Sequence, residues 1–250
     1  LELAPQDLVV EVGSGLGALT VFLAQVAGRV VALEVDPALA AYLQDELFPG
    51  EPRVEVLCQD VLRFDLLRLA RGTGTPLVLV GNLPYQITSP LLFKLAEEKA
   101  AVSRAILMMQ QEVGTRLVAA PGKKDYGVLS VLLQYHFAMT RLFSLGPGNF
   151  FPPPQVTSVV VRLEPRQPDP AARNEGFFAQ VVKSAFAARR KTLKNTLGVR
   201  GSALGLSAEE VLASLQSLEI DPGRRGETLS VTQFVTLSND LWDRRERGGR

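Results

Sequence analysis

Short apolar runs at 8–12, 29–33, 53–57, 77–80, 105–109 and 156–163 punctuate the first two thirds of the chain, with segments of helical period between them. The runs are nearly continuous rather than alternating, the pattern of strands covered on both faces. Asp36-Pro37 and Ser89-Pro90 each set a capping residue before a proline, which marks a helix start. This alternation predicts an α/β fold with a doubly wound, mostly parallel, Rossmann-like sheet. Such sheets bind ligands beyond the carboxyl ends of their strands.

The pattern changes after residue 165. A proline-rich stretch over 165–172 reads as a linker, and no strand pattern follows it. Ser207 with Glu210 and Ser230 with Gln233 have capping-box spacing ahead of apolar periodic runs, which predicts a small all-helical domain. The predicted organisation is a first domain over 1–165, a helical domain over 173–243 and a flexible tail over 244–250. The first strand starts almost at once and no initiator methionine precedes it. An N-terminal leader is therefore expected to be missing.

The 250 residues are 46% hydrophobic and 21% charged, ordinary material for a globular fold. No stretch approaches the ~18 uninterrupted apolar residues of a membrane span. One cysteine, Cys58, forms no internal disulfide, and no signal-peptide pattern opens the chain, so a cytoplasmic setting is expected. With one histidine, His136, beside that cysteine, zinc sites and Ser-His-Asp triads are excluded and no metal is expected. His136 and Cys58 read as structural. Charge is unevenly spread: residues 1–165 carry 13 basic and 16 acidic side chains, residues 166–250 carry 14 and 10. Six basic residues and no acid lie between Lys183 and Arg200, an asymmetry that points to a polyanionic partner.

Four places carry candidate chemistry. Gly13-Ser14-Gly15-Leu16-Gly17 follows the first strand, where glycines admit a cofactor close to the backbone and the next helix presents its amides. Its spacing fits S-adenosylmethionine-dependent methyltransferases and also, through Ala18, the looser dinucleotide fingerprint. Glu34 closes the second strand about 20 residues on, placed to accept hydrogen bonds from ribose hydroxyls under either reading. Asp60, with Val61 beside it, follows the third strand, where a carboxylate can receive the exocyclic amine of an adenine. Asn82-Leu83-Pro84-Tyr85 follows the fourth strand and resembles the Asn/Asp-Pro-Pro-Tyr/Phe signature of enzymes that methylate exocyclic amines of nucleobases. An adenine N6 lone pair is delocalised into the ring and nucleophilically poor. Acceptors from the Asn82 side chain and from a carbonyl of the Leu83-Pro84 turn draw it toward tetrahedral geometry and stabilise the developing charge. Tyr85 offers a stacking face for the base. An NAD-dependent oxidoreductase would explain the glycine turn and Glu34 but leave 82–85 without purpose.

The stretch from Asn82 to Pro90, together with that from Asn149 to Ser158, resembles the KsgA-type small-subunit (16S) ribosomal RNA adenine N6,N6-dimethyltransferase family. The similarity runs from about Leu8 to Trp242 and includes Gln110-Gln111-Glu112-Val113. The resemblance implies S-adenosylmethionine as cofactor, held at the positions of Gly13, Gly15, Glu34, Asp60, Val61 and Asn82. It implies a catalytic group of Asn82, Leu83, Pro84 and Tyr85, with Phe150 stacking on the base opposite Tyr85. The implied reaction is dimethylation of two adjacent adenosines near the 3′ end of small-subunit ribosomal RNA, during ribosome biogenesis on a pre-30S particle, by a monomer. Arg189, Arg190, Lys191 and Lys194, read as a helix, and Lys123 with Lys124, in a Pro-Gly-flanked loop, are the candidate RNA contacts. Family members also carry a segment ahead of the first strand that closes over the cofactor, and it is absent from this sequence. Two alternatives stay open: the large-subunit dimethyltransferases of macrolide resistance, disfavoured by Leu83 and the unbroken run Pro152-Pro153-Pro154, and an RNA-binding assembly factor with methylation secondary.

Overall fold

In the computed structural model, which describes residues 2–150 and 152–248, the chain forms two units. The first comprises Leu1–Gly114 and Phe137–Pro165, the second Thr115–His136 and Arg166–Arg250.

The first unit is built on a seven-stranded sheet. Its strands are β1 (Leu8–Val12), β2 (Arg29–Glu34), β3 (Val54–Cys58), β4 (Leu77–Asn82), β5 (Val102–Gln110), β6 (Phe137–Leu145) and β7 (Ser158–Pro165), in the order β3-β2-β1-β4-β5-β7-β6. The first five run parallel, β7 pairs antiparallel with β5, and β6 at the edge pairs antiparallel with β7. The doubly wound, mostly parallel sheet is as expected from the apolar runs. All five residues of β1 are buried, so both faces at the centre of the sheet are covered. On one face Leu23 and Ala27 of α1 (Thr20–Val26) and its end pack against Val9, Val30, Val78 and Val80.

The later crossovers contain α2 (Pro37–Tyr42), α3 (Leu66–Thr73) and α4 (Tyr85–Glu97). Asp36 caps α2 as read from the sequence, its side chain accepting from the Ala38 and Leu39 amides with Pro37 at the first helical position. The Ser89-Pro90 reading is corrected: α4 begins at Tyr85 and Pro90 lies inside it. Pro90 is on the exposed side of the helix, between Thr88 and Leu91, which are buried. Strand β6 has no counterpart in the sequence reading. It is the sheet edge, mostly solvent-facing, and so lacks the continuous apolar run of the inner strands.

The second unit contains α6 (Val128–His136), α7 (Glu175–Ala185), α8 (Leu193–Leu204), α9 (Ala208–Ser217) and α10 (Val231–Gly248), while α5 (Gln111–Leu117) crosses from the first unit into it. Both capping boxes are present, Ser207 with Glu210 and Ser230 with Gln233. Two boundaries differ from the sequence reading. The segment Thr115–His136 belongs with the helices because its aromatic side chains are buried among them. Tyr126 donates to the Leu229 carbonyl at 2.9 Å, and the Tyr135 ring lies 4.5 Å from that of Phe178. The expected tail is helix through Gly248, with Arg244 paired to Asp240 at 2.6 Å and Arg245 over the Phe177 and Trp242 rings. Residues 249–250 of that expected tail lie outside the described residues. The division sharpens the charge asymmetry, with 10 basic and 15 acidic side chains in the first unit against 17 and 11 in the second.

Candidate active site

The carboxyl ends of β3, β2, β1 and β4 lie side by side, and each delivers one residue that the sequence singled out. Gly13, Gly15 and Gly17 all have positive φ (+70°, +56° and +81°), backbone that only glycine adopts without strain, and they turn the chain sharply from β1 toward α1. Glu34 holds this turn in place. Its Oε2 accepts from the Gly15 amide at 2.8 Å, and its Oε1 accepts from the Val35 and Asp36 amides at 2.8 and 3.0 Å. Glu34 is 6% exposed, so these charge-assisted bonds fix its carboxylate firmly.

Asp60 follows β3 with Oδ1 accepting from the Leu62 amide at 2.8 Å, while Oδ2 makes no hydrogen bond among the described residues. Val61 is buried beside it. Asn82 is the last residue of β4 and is exposed. The Leu83 amide donates to the Met108 carbonyl at 3.0 Å, pinning the turn to β5. The Pro84 carbonyl is engaged by the Ile87 amide and the Thr88 hydroxyl, whereas the Leu83 carbonyl accepts no hydrogen bond among the described residues. Gly81 permits this crowding: a Cβ there would stand 2.8 Å from the Val12 carbonyl oxygen.

Beside the turn opens a cavity of about 420 Å³, lined among others by Asn82, Tyr85, Met109, Phe150, Pro152 and Ser158. Tyr85 and Phe150, far apart in sequence, thus border one space. Phe151 of the quoted motif lies outside the described residues.

The sequence reading missed three features here. Val35, between two acids, is 69% exposed at the end of β2, an apolar face offered to whatever lies over Glu34. Glu11 is buried under the glycine turn and accepts from the Thr20 hydroxyl at 2.6 Å; burial pushes its carboxyl up to about 7. A carboxylate in an otherwise apolar strand was the available signal. Ser158 is the third: it closes the Asn149–Ser158 stretch that carries the resemblance, but no role was read for it.

The basic residues are rearranged relative to expectation. Residues 187–191 are turns between α7 and α8, not helix, so Arg189, Arg190 and Lys191 share no helical face. Arg189 is paired with Glu227 at 2.9 Å and also donates to the Lys124 carbonyl, which brings the loop of Lys123 and Lys124 beside it. Arg225, not singled out in the sequence, lies 3.9 Å from the same Glu227. Lys194 instead lines a groove between α8 and α9. Among the described residues no cluster of metal-ligating side chains occurs, and no helix is long and apolar enough to cross a membrane.

Comparison with known proteins gives a consistent result. The profile of the ribosomal RNA adenine dimethylase family matches residues 1–241. The ribosomal RNA small subunit methyltransferase A of Geobacter metallireducens is 45% identical over 243 residues, 96% of this chain and 87% of that protein. Its counterpart from Geobacter sulfurreducens is 46% identical over 237 residues, 94% and 85% respectively. A dimethyladenosine transferase from Plasmodium falciparum has a TM-score of 0.79 over 99% of this chain and 93% of its own; at 24% identity the likeness is one of fold. The 23S rRNA methyltransferase ErmE has a TM-score of 0.68 at 27% identity, over 96% and 93%. By profile, identity and coverage together, this chain belongs to the ribosomal RNA adenine dimethylase family.

Proposed function

We propose that the chain transfers methyl groups from S-adenosylmethionine to N6 of two adjacent adenosines near the 3′ end of small-subunit ribosomal RNA. The observation that carries this reading is the Asn82–Tyr85 turn, bordering a cavity shared with Phe150 and ending the strand next to the glycine turn. Relatives above 40% identity named for the small subunit, against 27% for ErmE, support that subunit over the large one.

The residues at the strand ends fit an adenosyl cofactor. Four adjacent strands at about 4.8 Å spacing give a row of roughly 14 Å. Along it lie a free Asp60 Oδ2 for an adenine amine, the exposed Val35 for the ring and Glu34 for the ribose. The Ser14 hydroxyl, buried in the turn itself without a partner among the described residues, is a further polar group there. S-adenosylmethionine supplies an electrophilic methyl on a sulfonium.

The chain's own groups prepare the nucleophile. The Asn82 side-chain oxygen and the Leu83 carbonyl accept the two N6 hydrogens, pull the lone pair out of conjugation and stabilise the charge that builds on nitrogen. Tyr85 and Phe150 hold the extruded base by stacking, worth about 1–3 kcal/mol for each ring. The proton then released from the methylated amine passes to water, so no histidine base is needed. All these residues belong to the first unit, so one chain holds the whole site. The basic loops of the second unit supply RNA phosphate contacts.

Asn82→Ala should slow single-turnover methyl transfer by roughly 10²–10³-fold while RNA affinity stays the same. A single-turnover rate equal to the parent's would reject the assignment.

A further inference from the structure

Ser158 opens β7 at the head of a run, Ser158 to Val161, in which every residue is buried. It pairs with Gln110 of β5 on one side and Leu145 of β6 on the other, so its backbone is held in the sheet. The residue is 4% exposed, and its hydroxyl makes no hydrogen bond among the described residues. The buried hydroxyls of Thr20, Thr88, Ser130 and Thr196 donate to protein acceptors at 2.6–3.1 Å, whereas those of Ser14 and Ser214 also lack a partner among the described residues. Unlike the fully enclosed and unpaired Ser14 and Ser214 hydroxyls, that of Ser158 keeps access to the space beside it, although a valine would continue this apolar run. What distinguishes Ser158 is its place in the wall of the 420 Å³ cavity, with Asn82, Tyr85 and Phe150.

That wall presents acceptors at the turn, the Asn82 oxygen and the Leu83 carbonyl, which select an exocyclic amine. An amine alone does not identify adenine, because cytosine also carries one. The remaining polar edge of adenine beside N6 consists of the ring nitrogens N1 and N7, both acceptors, and neither Asn82 nor Leu83 addresses them. A hydroxyl is the neutral donor that such a nitrogen requires.

We propose that Ser158 is a specificity-determining residue whose hydroxyl donates to a ring nitrogen flanking N6, N1 or N7, of the adenine in this cavity. The proposal rests on the adenine-N6 methyltransferase reading above. It predicts a hydrogen bond made to the base and to nothing in the free protein.

The test combines Ser158→Ala with RNA in which the target adenosine is replaced by 1-deazaadenosine or 7-deazaadenosine, each of which lacks one ring nitrogen. With the parent protein one of the two analogues should lower kcat/KM about tenfold, and Ser158→Ala should cause a similar loss on unmodified RNA. In the variant that same analogue should cause no further loss. An analogue penalty equally large in parent and variant, or a variant as fast as the parent, overturns the proposal. A variant slowed only by misplacement of β7 would keep the full analogue penalty and so falls on the overturning side. Methylation of unmodified RNA by the parent is the internal check on the underlying reading, and an inactive parent overturns both.

Discussion

Replacing Glu11 by Gln should remove one component of the pH dependence of stability. Glu11 is 2% exposed in β1, and its carboxyl is moved from an ordinary 4.5 to about 7, chiefly by burial. The Thr20 hydroxyl opposes this shift and the charge of Glu34 adds to it. Between these two values the folded chain keeps a proton that the unfolded chain has released. Stability from this group is therefore complete below pH 4.5 and lost as pH rises through about 7. At roughly 1.4 kcal/mol per pH unit the loss amounts to about 3 kcal/mol. Gln is neutral throughout and still offers Thr20 an acceptor. Its advantage over the parent should therefore be small at pH 4.5 and grow by about 3 kcal/mol by about pH 8. Urea unfolding followed by circular dichroism at both pH values reads this directly, provided the denaturant slope is unchanged. A constant gap between variant and parent, or one that widens toward acid, would refute the reasoning.

Glu34→Ala removes the common acceptor of the Gly15, Val35 and Asp36 amides. Calorimetric affinity for S-adenosylmethionine should fall by about 1.5–3 kcal/mol, and equal affinity would exclude the role. Replacing Lys123, Lys124, Arg190 and Lys191 with Gln should weaken RNA binding and flatten its log–log salt dependence by about 0.7–0.9 for each phosphate that is no longer neutralised. Parallel salt lines of equal intercept would return these loops to a purely structural role. Arg189→Gln alone should change that slope less than Arg190→Gln, because Glu227 already pairs with the Arg189 charge; the opposite order would show that the pair opens on RNA.

Much of the sheet was legible along the chain because burial on both faces demands continuous apolar runs, and β1 was read with the bounds it has. The caps at Asp36, Ser207 and Ser230 were legible for a related reason: each satisfies helix amides within three residues, so the signal is local. The chemistry at the strand ends was equally readable, since a doubly wound sheet leaves the residues after its strands on one edge. Pairings between distant residues decided the rest. Edge strand β6 carries no apolar run because solvent takes one side of it. Thr115–His136 joins the helical unit through pairs such as Tyr126 with Leu229, separated by 103 residues. Arg189 is occupied by Glu227, 38 residues away, which no count of basic residues reveals. Ser158 lies in the sequence within the apolar run at 156–163 and at the end of the Asn149–Ser158 stretch, neither of which gives it a role. Only the fold sets it in the wall of the cavity, because that wall is assembled from β4 and the turn after it, β5, β7 and the residues Phe150, Pro152 and Pro154, which meet only once the sheet has formed.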